Sequence, residues 1–480
     1  MNYPNSLTSG SVGRRAQSAY VGHRTAPWLR FASTVVVALI LGQETSAAAS
    51  AEVLALNNRG IEFYEKRLYH QAIESFEKAL SLDAKDAEVR ANLALAWVGL
   101  GLEFLNGGES AAAARSFRQA LEVEDEHYAH FGLGYIHYLE NHDDDARRSL
   151  QRALDLDQDF AKAYKILALM DYREGKELEA TELMAKAVKL DSGDAEAAEI
   201  LERWRVQQRV TKRFKKRTTA RFELRYDPAI PRPTLRSARD ILNEALDSVG
   251  EALGVWPRRK IVVTLFDVRS FREATGSKHW IGGLFDGQIK IPVQVEQDPA
   301  AKRQEPPLAS EDDGNEDSGK EDDGKGELRR ALFHELTHAL VKQLYPACPN
   351  WLNEGVAQYF EIFAGLDAAA PERQSTRARR ERRYQAVLAQ LRENAADRVR
   401  LTQIPARLWE HANEAQARWS YVQGLGFVEF LVRRHHLFRL RVFLQAARDQ
   451  GSIQSAFQST YGRSIEELED VWWATVQATD

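Results

Sequence analysis

Leu328–Phe360 reads LRRALFHELTHALVKQLYPACPNWLNEGVAQYF, and this stretch decides how the second half of the chain must be built. Leu328 to Leu344 has the length and composition of one helix, ended by Pro346. It is apolar on nearly all sides, through Leu332, Phe333, Leu336, Ala339, Leu340 and Val341, and a helix apolar all round is buried. Two imidazoles and a carboxylate are thereby carried inside, which is costly unless they are paired or hold a metal ion. His334 and His338, four apart, project from one face and can share a single ion. Glu335 is one step round the helix, beside such an ion rather than on it. The competing reading is a buried helix whose histidines bond to backbone or to carboxylates.

The residues just downstream weaken the competing reading. A catalytic zinc takes three protein ligands and leaves one position open for water. Sixteen residues after His338 comes Glu354, within Trp351-Leu352-Asn353-Glu354-Gly355-Val356-Ala357, which begins a second helix. Pro346 and Pro349 supply a turn that lets the two helices face each other.

This arrangement resembles the gluzincins of the peptidase MA clan, in which H-E-x-x-H gives two zinc ligands and a glutamate on the next helix the third. Residues 351–357 are close to the W-L-N-E-G-F-A form of aminopeptidase N relatives, although the gap between His338 and Glu354 is shorter than theirs. The resemblance implies one Zn²⁺ per chain on His334, His338 and Glu354, with Glu335 as general base. Ser420-Tyr421-Val422-Gln423-Gly424 opens a helix and is similar to their Y-x-K-G segment, which implies an oxyanion-stabilising hydroxyl at Tyr421. The usual lysine is Gln423 here, and no role is carried to it. The G-x-M-E-N motif that grips a free amine is missing: Gly282-Gly283-Leu284-Phe285-Asp286 has no glutamate there. The expectation is therefore a peptidase acting on internal bonds of a peptide or protein substrate, with Gly287–Val293 as an edge strand to which that substrate adds. Glu361 and Gln358 are candidates to orient the imidazoles.

Upstream, the chain repeats itself. Ala79-Leu80 aligns with Ala120-Leu121, Ala153-Leu154 and Ala187-Val188; seven residues before each stand Ala72, Ala113, Ala146 and Ala180. Phe76, Phe117, Leu150 and Met184 form a large-residue row, and Gly60, Gly101, Gly134 and Ala168 a small one. The last two intervals are 33 and 34 residues and the first is 41, so an insertion falls around Val98–Gly108. Period and pattern resemble the tetratricopeptide repeat, a helix-turn-helix unit, which implies a stack with a concave surface for a protein partner. His127, His130, His137 and His142 fall near turns or helix ends and read as surface or seam residues.

The remaining segments are simpler. Arg14, Arg15, Arg24 and Arg30 precede an apolar run from Phe31 to Leu41, with small residues after it at Ser46–Ala51. That is the layout of an export signal. The run is short for a bilayer span, so a membrane enters only as an uncleaved N-terminal anchor. A formal charge of −5 offers no case for nucleic acid, and the single cysteine, Cys348, excludes an intrachain disulfide. The basic run Arg209–Arg217 continues a helix from Ala195. After it, Ala220–Tyr226 alternates as a strand, Leu235–Leu253 is an amphipathic helix, and Lys260–Phe266 is a β-branched strand. Glu296–Gly326 is too polar to bury a core and reads as a disordered loop.

The expected architecture is an α-helical tetratricopeptide-repeat solenoid followed by an α+β zincin-like metallopeptidase domain with a helical C-terminal part. Residues 1–50 form the signal or anchor, 54–194 about four repeats, and 195–217 a basic connector helix. Residues 218–370 form the catalytic domain with its acidic loop 296–326, and 371–480 the helical part carrying Tyr421. The expected product is an exported protein, periplasmic or secreted. The rival reading is a repeat scaffold with a structural or silent zinc site.

Overall fold

The computed structural model describes residues 51–277, 282–295, 323–363, 373–404 and 414–478. The export signal at 1–50 and loop residues 296–322 lie outside them. Eight helices form four antiparallel pairs: α1 (Ala51–Glu65) with α2 (Tyr69–Leu82), α3 (Ala87–Asn106) with α4 (Ser110–Val123), α5 (His127–Leu139) with α6 (Asp143–Leu156), and α7 (Ala161–Arg173) with α8 (Glu177–Leu190). A ninth, α9 (Ala195–Thr211), closes the stack.

The small and large rows of the sequence meet inside each pair. A β-carbon on Gly60 would lie 2.4 Å from the Phe76 ring, and one on Gly101 2.7 Å from the Phe117 ring. Only glycine lets these helices approach so closely, and the buried phenyl rings then fill the gap. The long first interval is not a loop. Helix α3 has 20 residues where α5 and α7 have 13 each, a difference of seven that matches the excess of the 41-residue interval over the 34-residue one. Two residues past the end of the extended helix, Gly108 is in the left-handed region and abuts Gly451 of the C-terminal part; a β-carbon on Gly108 would lie 2.4 Å from the Gly451 carbonyl oxygen.

A five-stranded mixed sheet comes next, ordered β1-β2-β3-β5-β4. Its strands are β1 (Lys215–Thr218), β2 (Phe222–Tyr226), β3 (Ile261–Asp267), β4 (Leu284–Phe285) and β5 (Ile289–Val293). Strands β2, β3 and β5 are parallel, and β1 and β4 run antiparallel at the two edges. Between β2 and β3 runs α10 (Arg232–Leu253), and α11 (Val268–Thr275) comes after β3.

Three expectations change here. The connector helix 195–217 stops at Thr211, and Lys215–Thr218 is an exposed edge strand paired with β2. Its lysines and arginine keep that edge from pairing further, a common use of charge. Gly287–Val293 is not the edge either: β5 lies between β3 and the two-residue β4, which forms the rim. Finally, α12 (Asp323–Leu344), the helix that carries His334 and His338, takes in the last residues of the expected acidic loop at its start and ends at Leu344 as expected.

The sheet is the middle layer. On one face Phe222, Leu224, Val263, Leu265, Ile289 and Ile291 join α10 and the Leu332, Phe333, Leu336 and Leu340 side of α12 in one core. The other face meets the repeats. There Lys290, fully buried, reaches Asp286 at 2.5 Å. Tyr172 of α7 donates to Gln207 of α9 at 2.8 Å, and its carbonyl accepts from Gln288 at 2.7 Å. Burying a lysine is tolerable only with such a partner.

After α12 come α13 (Asn350–Phe363), α14 (Arg373–Glu393), α15 (Glu414–Gln450), α16 (Ile453–Tyr461) and α17 (Ile465–Gln477). Helix α15 breaks at His436, whose φ is 65°, so His435-His436 falls at a helix junction. Tyr421 sits inside α15 rather than at its start. Among the described residues no helix is long and apolar enough to cross a membrane.

Candidate metal centre

Helices α12 and α13, joined by the turn through Pro346 and Pro349, bring His334, His338 and Glu354 together. Nε2 of His334 lies 3.0 Å from Nε2 of His338. Glu354 Oε2 is 3.4 Å from the first and 3.5 Å from the second. Tetrahedral zinc with bonds of about 2.0–2.1 Å has ligand-to-ligand edges of about 3.3–3.4 Å. The donor triangle is thus the size of one face of such a site, and its chemistry, two imidazoles and a carboxylate, suits zinc. The side chains of His334 and Glu354 keep 19% and 13% of their exposure, so the triangle is open to solvent on one side.

The imidazoles are oriented unequally. His334 Nδ1 is 2.9 Å from Glu361 Oε2, two turns along α13 from Glu354. A proton on that Nδ1 leaves Nε2 as the lone-pair nitrogen facing the cluster. His338 Nδ1 is buried and has no such partner among the described residues. Burial works against a charged ring at His334, but Glu354 and Glu361 raise its pKa well above the ordinary imidazole value. Burial likewise opposes ionisation of Glu354, yet His338 and His334 hold its carboxyl well below the usual range. Positive charge at the centre of this triangle is what both groups demand, whether a proton or a metal ion supplies it.

Glu335 is buried next to this triangle, and burial raises its pKa against the pull of His338 and His334. Its carboxylate faces Gly283, just before β4: a β-carbon there would lie 2.6 Å from Glu335 Oε1. A glycine at that point keeps the carboxylate unobstructed.

Tyr421 lies on α15, which crosses α13 at two glycines. A β-carbon on Gly355 would be 2.4 Å from the Gly424 carbonyl oxygen, and one on Gly424 2.5 Å from that of Trp351. The glycines of the Trp351–Ala357 and Ser420–Gly424 motifs therefore meet each other. Tyr421 stands one turn before Gly424, and its phenol is held well above its ordinary pKa by burial and then by Glu354 and Glu335. It remains an O–H donor. Trp351 packs on Phe427 with ring centroids 5.8 Å apart, fixing the same crossing. Gln423 is buried and accepts from the Val399 amide at 3.2 Å, a structural duty. Asp286 accepts from Lys290 and from the Tyr172 hydroxyl. Cys348 is buried, which pushes its thiol up to about 12.

The triangle and Glu335 are legible in the sequence; the contacts of Gly283, Gly355 and Gly424 are not. The only trace was glycine in positions where a helix or strand gains nothing from it.

Comparison with known proteins agrees with this layout. Residues 324–478 match the family model described as Peptidase MA superfamily. Residues 54–86 and 98–142 match models of the tetratricopeptide repeat. The chain therefore carries tetratricopeptide repeats followed by a Peptidase MA superfamily domain. The matched span covers α12 to α17 and leaves the sheet outside. Among curated proteins, none matches the chain.

Proposed function

We propose that this protein is an exported zinc-dependent peptidase that cleaves internal peptide bonds. The observation that carries the reading is the convergence of His334, His338 and Glu354 with Glu335 beside them. His334, His338 and Glu354 would hold the ion. Bound there, zinc supplies Lewis-acid chemistry, acidifying a water toward a pKa of ~7 and polarising the scissile carbonyl.

The chain's own groups do the rest. Glu335 takes a proton from the attacking water on its carboxylate and hands it to the leaving amine. The Tyr421 hydroxyl donates to the oxygen that gains negative charge as the carbonyl becomes tetrahedral. Substrate in extended form lies against the β4 rim, where backbone hydrogen bonds are sequence-tolerant. Preference for internal bonds is supported by the Gly282–Asp286 segment, whose one carboxylate is engaged by Lys290 and so offers no grip on a free amine. Export rests on the basic, apolar and small-residue order of residues 14–51. The repeats offer a surface for substrate or partner protein.

The test is the Glu335→Gln variant, with zinc content and hydrolysis of a peptide library measured together. Zinc should stay at about one catalytic ion per chain while hydrolysis falls by ~10²–10⁴. Retained hydrolysis would overturn the mechanism. A wild-type protein that holds zinc, cleaves nothing and captures a partner through residues 54–194 would point to a scaffold.

A further inference from the structure

The turn between α5 and α6 gathers a second set of metal-binding groups, far along the chain from the first. His137 stands in the last turn of α5, and Glu140 and His142 in the turn after it. One ligand atom from each of the three lies within 4.8 Å of the others. Nδ1 of His142 is 3.3 Å from a Glu140 oxygen, and the rings of His137 and His142 have centroids 6.2 Å apart.

The backbone beneath them is firmly set. The His142 amide donates to the His137 carbonyl at 2.8 Å, that of Glu140 to Ile136 at 2.9 Å, and Asn141 takes a left-handed φ of 57°. This closes the helix end and puts residues 137, 140 and 142 on one side of the turn. Asn141 is pinned from two directions. Its side-chain Nδ2 donates to the Gln343 carbonyl in the last turn of α12 at 3.3 Å, and its side-chain oxygen accepts from Arg173 at 2.8 Å. The side chains above the turn therefore start close to a shared geometry.

A second observation points to a ligand. His137 Nδ1 is buried with no hydrogen-bond partner among the described residues, a costly state for an imidazole nitrogen. Glu140 and His142, by contrast, are exposed, so positions opposite the protein donors remain open to water. Imidazole selects zinc-class transition ions over calcium or magnesium.

We propose that His137, Glu140 and His142 form a second, solvent-exchangeable site for a zinc-class divalent ion, placed where the repeats dock on the catalytic helix. It stands independently of the peptidase reading, since no group of the α12–α13 triangle takes part.

The experiment is zinc titration by calorimetry on untagged, metal-stripped full-length protein. Wild type should bind two ions. His142→Ala and Glu140→Gln, at exposed positions that leave folding undisturbed, should remove or weaken one class by at least the roughly 10-fold that even an outer-shell partner commands. His338→Ala should remove the other class and leave this one. Circular dichroism on each variant checks the fold, and His137→Ala gives a second reading from the α5 side. A single ion lost in His142→Ala and His137→Ala would still support the proposal and count against the α12–α13 triangle; a single ion removed by His338→Ala, or binding that neither His142→Ala nor His137→Ala weakens, would overturn it. The latter result would leave the 3.3 Å contact of His142 with Glu140 as a plain ion pair.

Discussion

The repeat stack and the domain that follows it both depend on glycines facing large or rigid neighbours, but the glycines do different work. In the repeats, Gly101 and Phe117 are 16 residues apart, and their contact closes one helical hairpin. In the second domain, Gly355 meets Gly424 across 69 residues, and Gly283 meets Glu335 across 52. The first kind of contact is nearly local and sets stability. The second is long-range and sets where α13 and α15 cross and what faces the Glu335 carboxylate. A close-approach glycine is informative only once its partner is known.

Four substitutions put that contrast at risk. Tyr421→Phe should have the largest effect, since losing one oxyanion donor costs about 10²–10³ in kcat. Zinc content and thermal midpoint should stay at wild-type values, and a kcat near wild type would mean that the Gly355–Gly424 crossing serves packing alone. Gly283→Ala comes next. A methyl 2.6 Å from Glu335 Oε1 must displace that carboxylate, and a misplacement of about 1 Å can cost up to ~100-fold. The measurement is kcat alongside denaturant stability; a loss confined to stability would put Gly283 with the repeat glycines.

Glu361→Gln tests orientation rather than approach. The His334–Glu361 contact of 2.9 Å fixes the ring, and removing such a partner should weaken zinc by about 10–100-fold. Competition against a chelator reads this directly, and unchanged affinity would show that packing alone aligns His334. Gly101→Ala should have the smallest effect on chemistry. The new methyl crowds the buried Phe117 ring, costing about 1–3 kcal/mol, partly offset by the ~1 kcal/mol that alanine gains in a helix. The thermal midpoint should drop while kcat per folded molecule holds. A changed kcat would mean that the repeats transmit strain to the site, through Gly108–Gly451 or Asn141–Gln343.

Much of this molecule is legible in its residues alone. The rows Ala72, Ala113, Ala146 and Ala180 and Phe76, Phe117, Leu150 and Met184 announce a repeat, because each helix pair buries the same positions. His334 and His338 are legible as a pair because four residues are about one helical turn. The sheet reads less well. Lys215–Arg217 has the charge of a solvated helix, and only its pairing with Leu224–Tyr226 makes it a strand. Leu284–Phe285 is too short to carry an alternation, so in sequence its neighbour reads as the rim. Asp286 and Lys290 are ordinary charged residues in sequence. Their mutual burial under Tyr172 depends on the repeats docking on the sheet.

By itself, then, the sequence determined the helices, their repeat and the identity of the donor set, since each is written within one or two turns of chain. Tertiary structure alone decided which side of the sheet the repeats cover, which strand forms the rim, and that Tyr421 and Gly283 come to Glu335. Those outcomes rest on contacts between segments tens to more than a hundred residues apart, where a single side chain's preference carries no address for its partner.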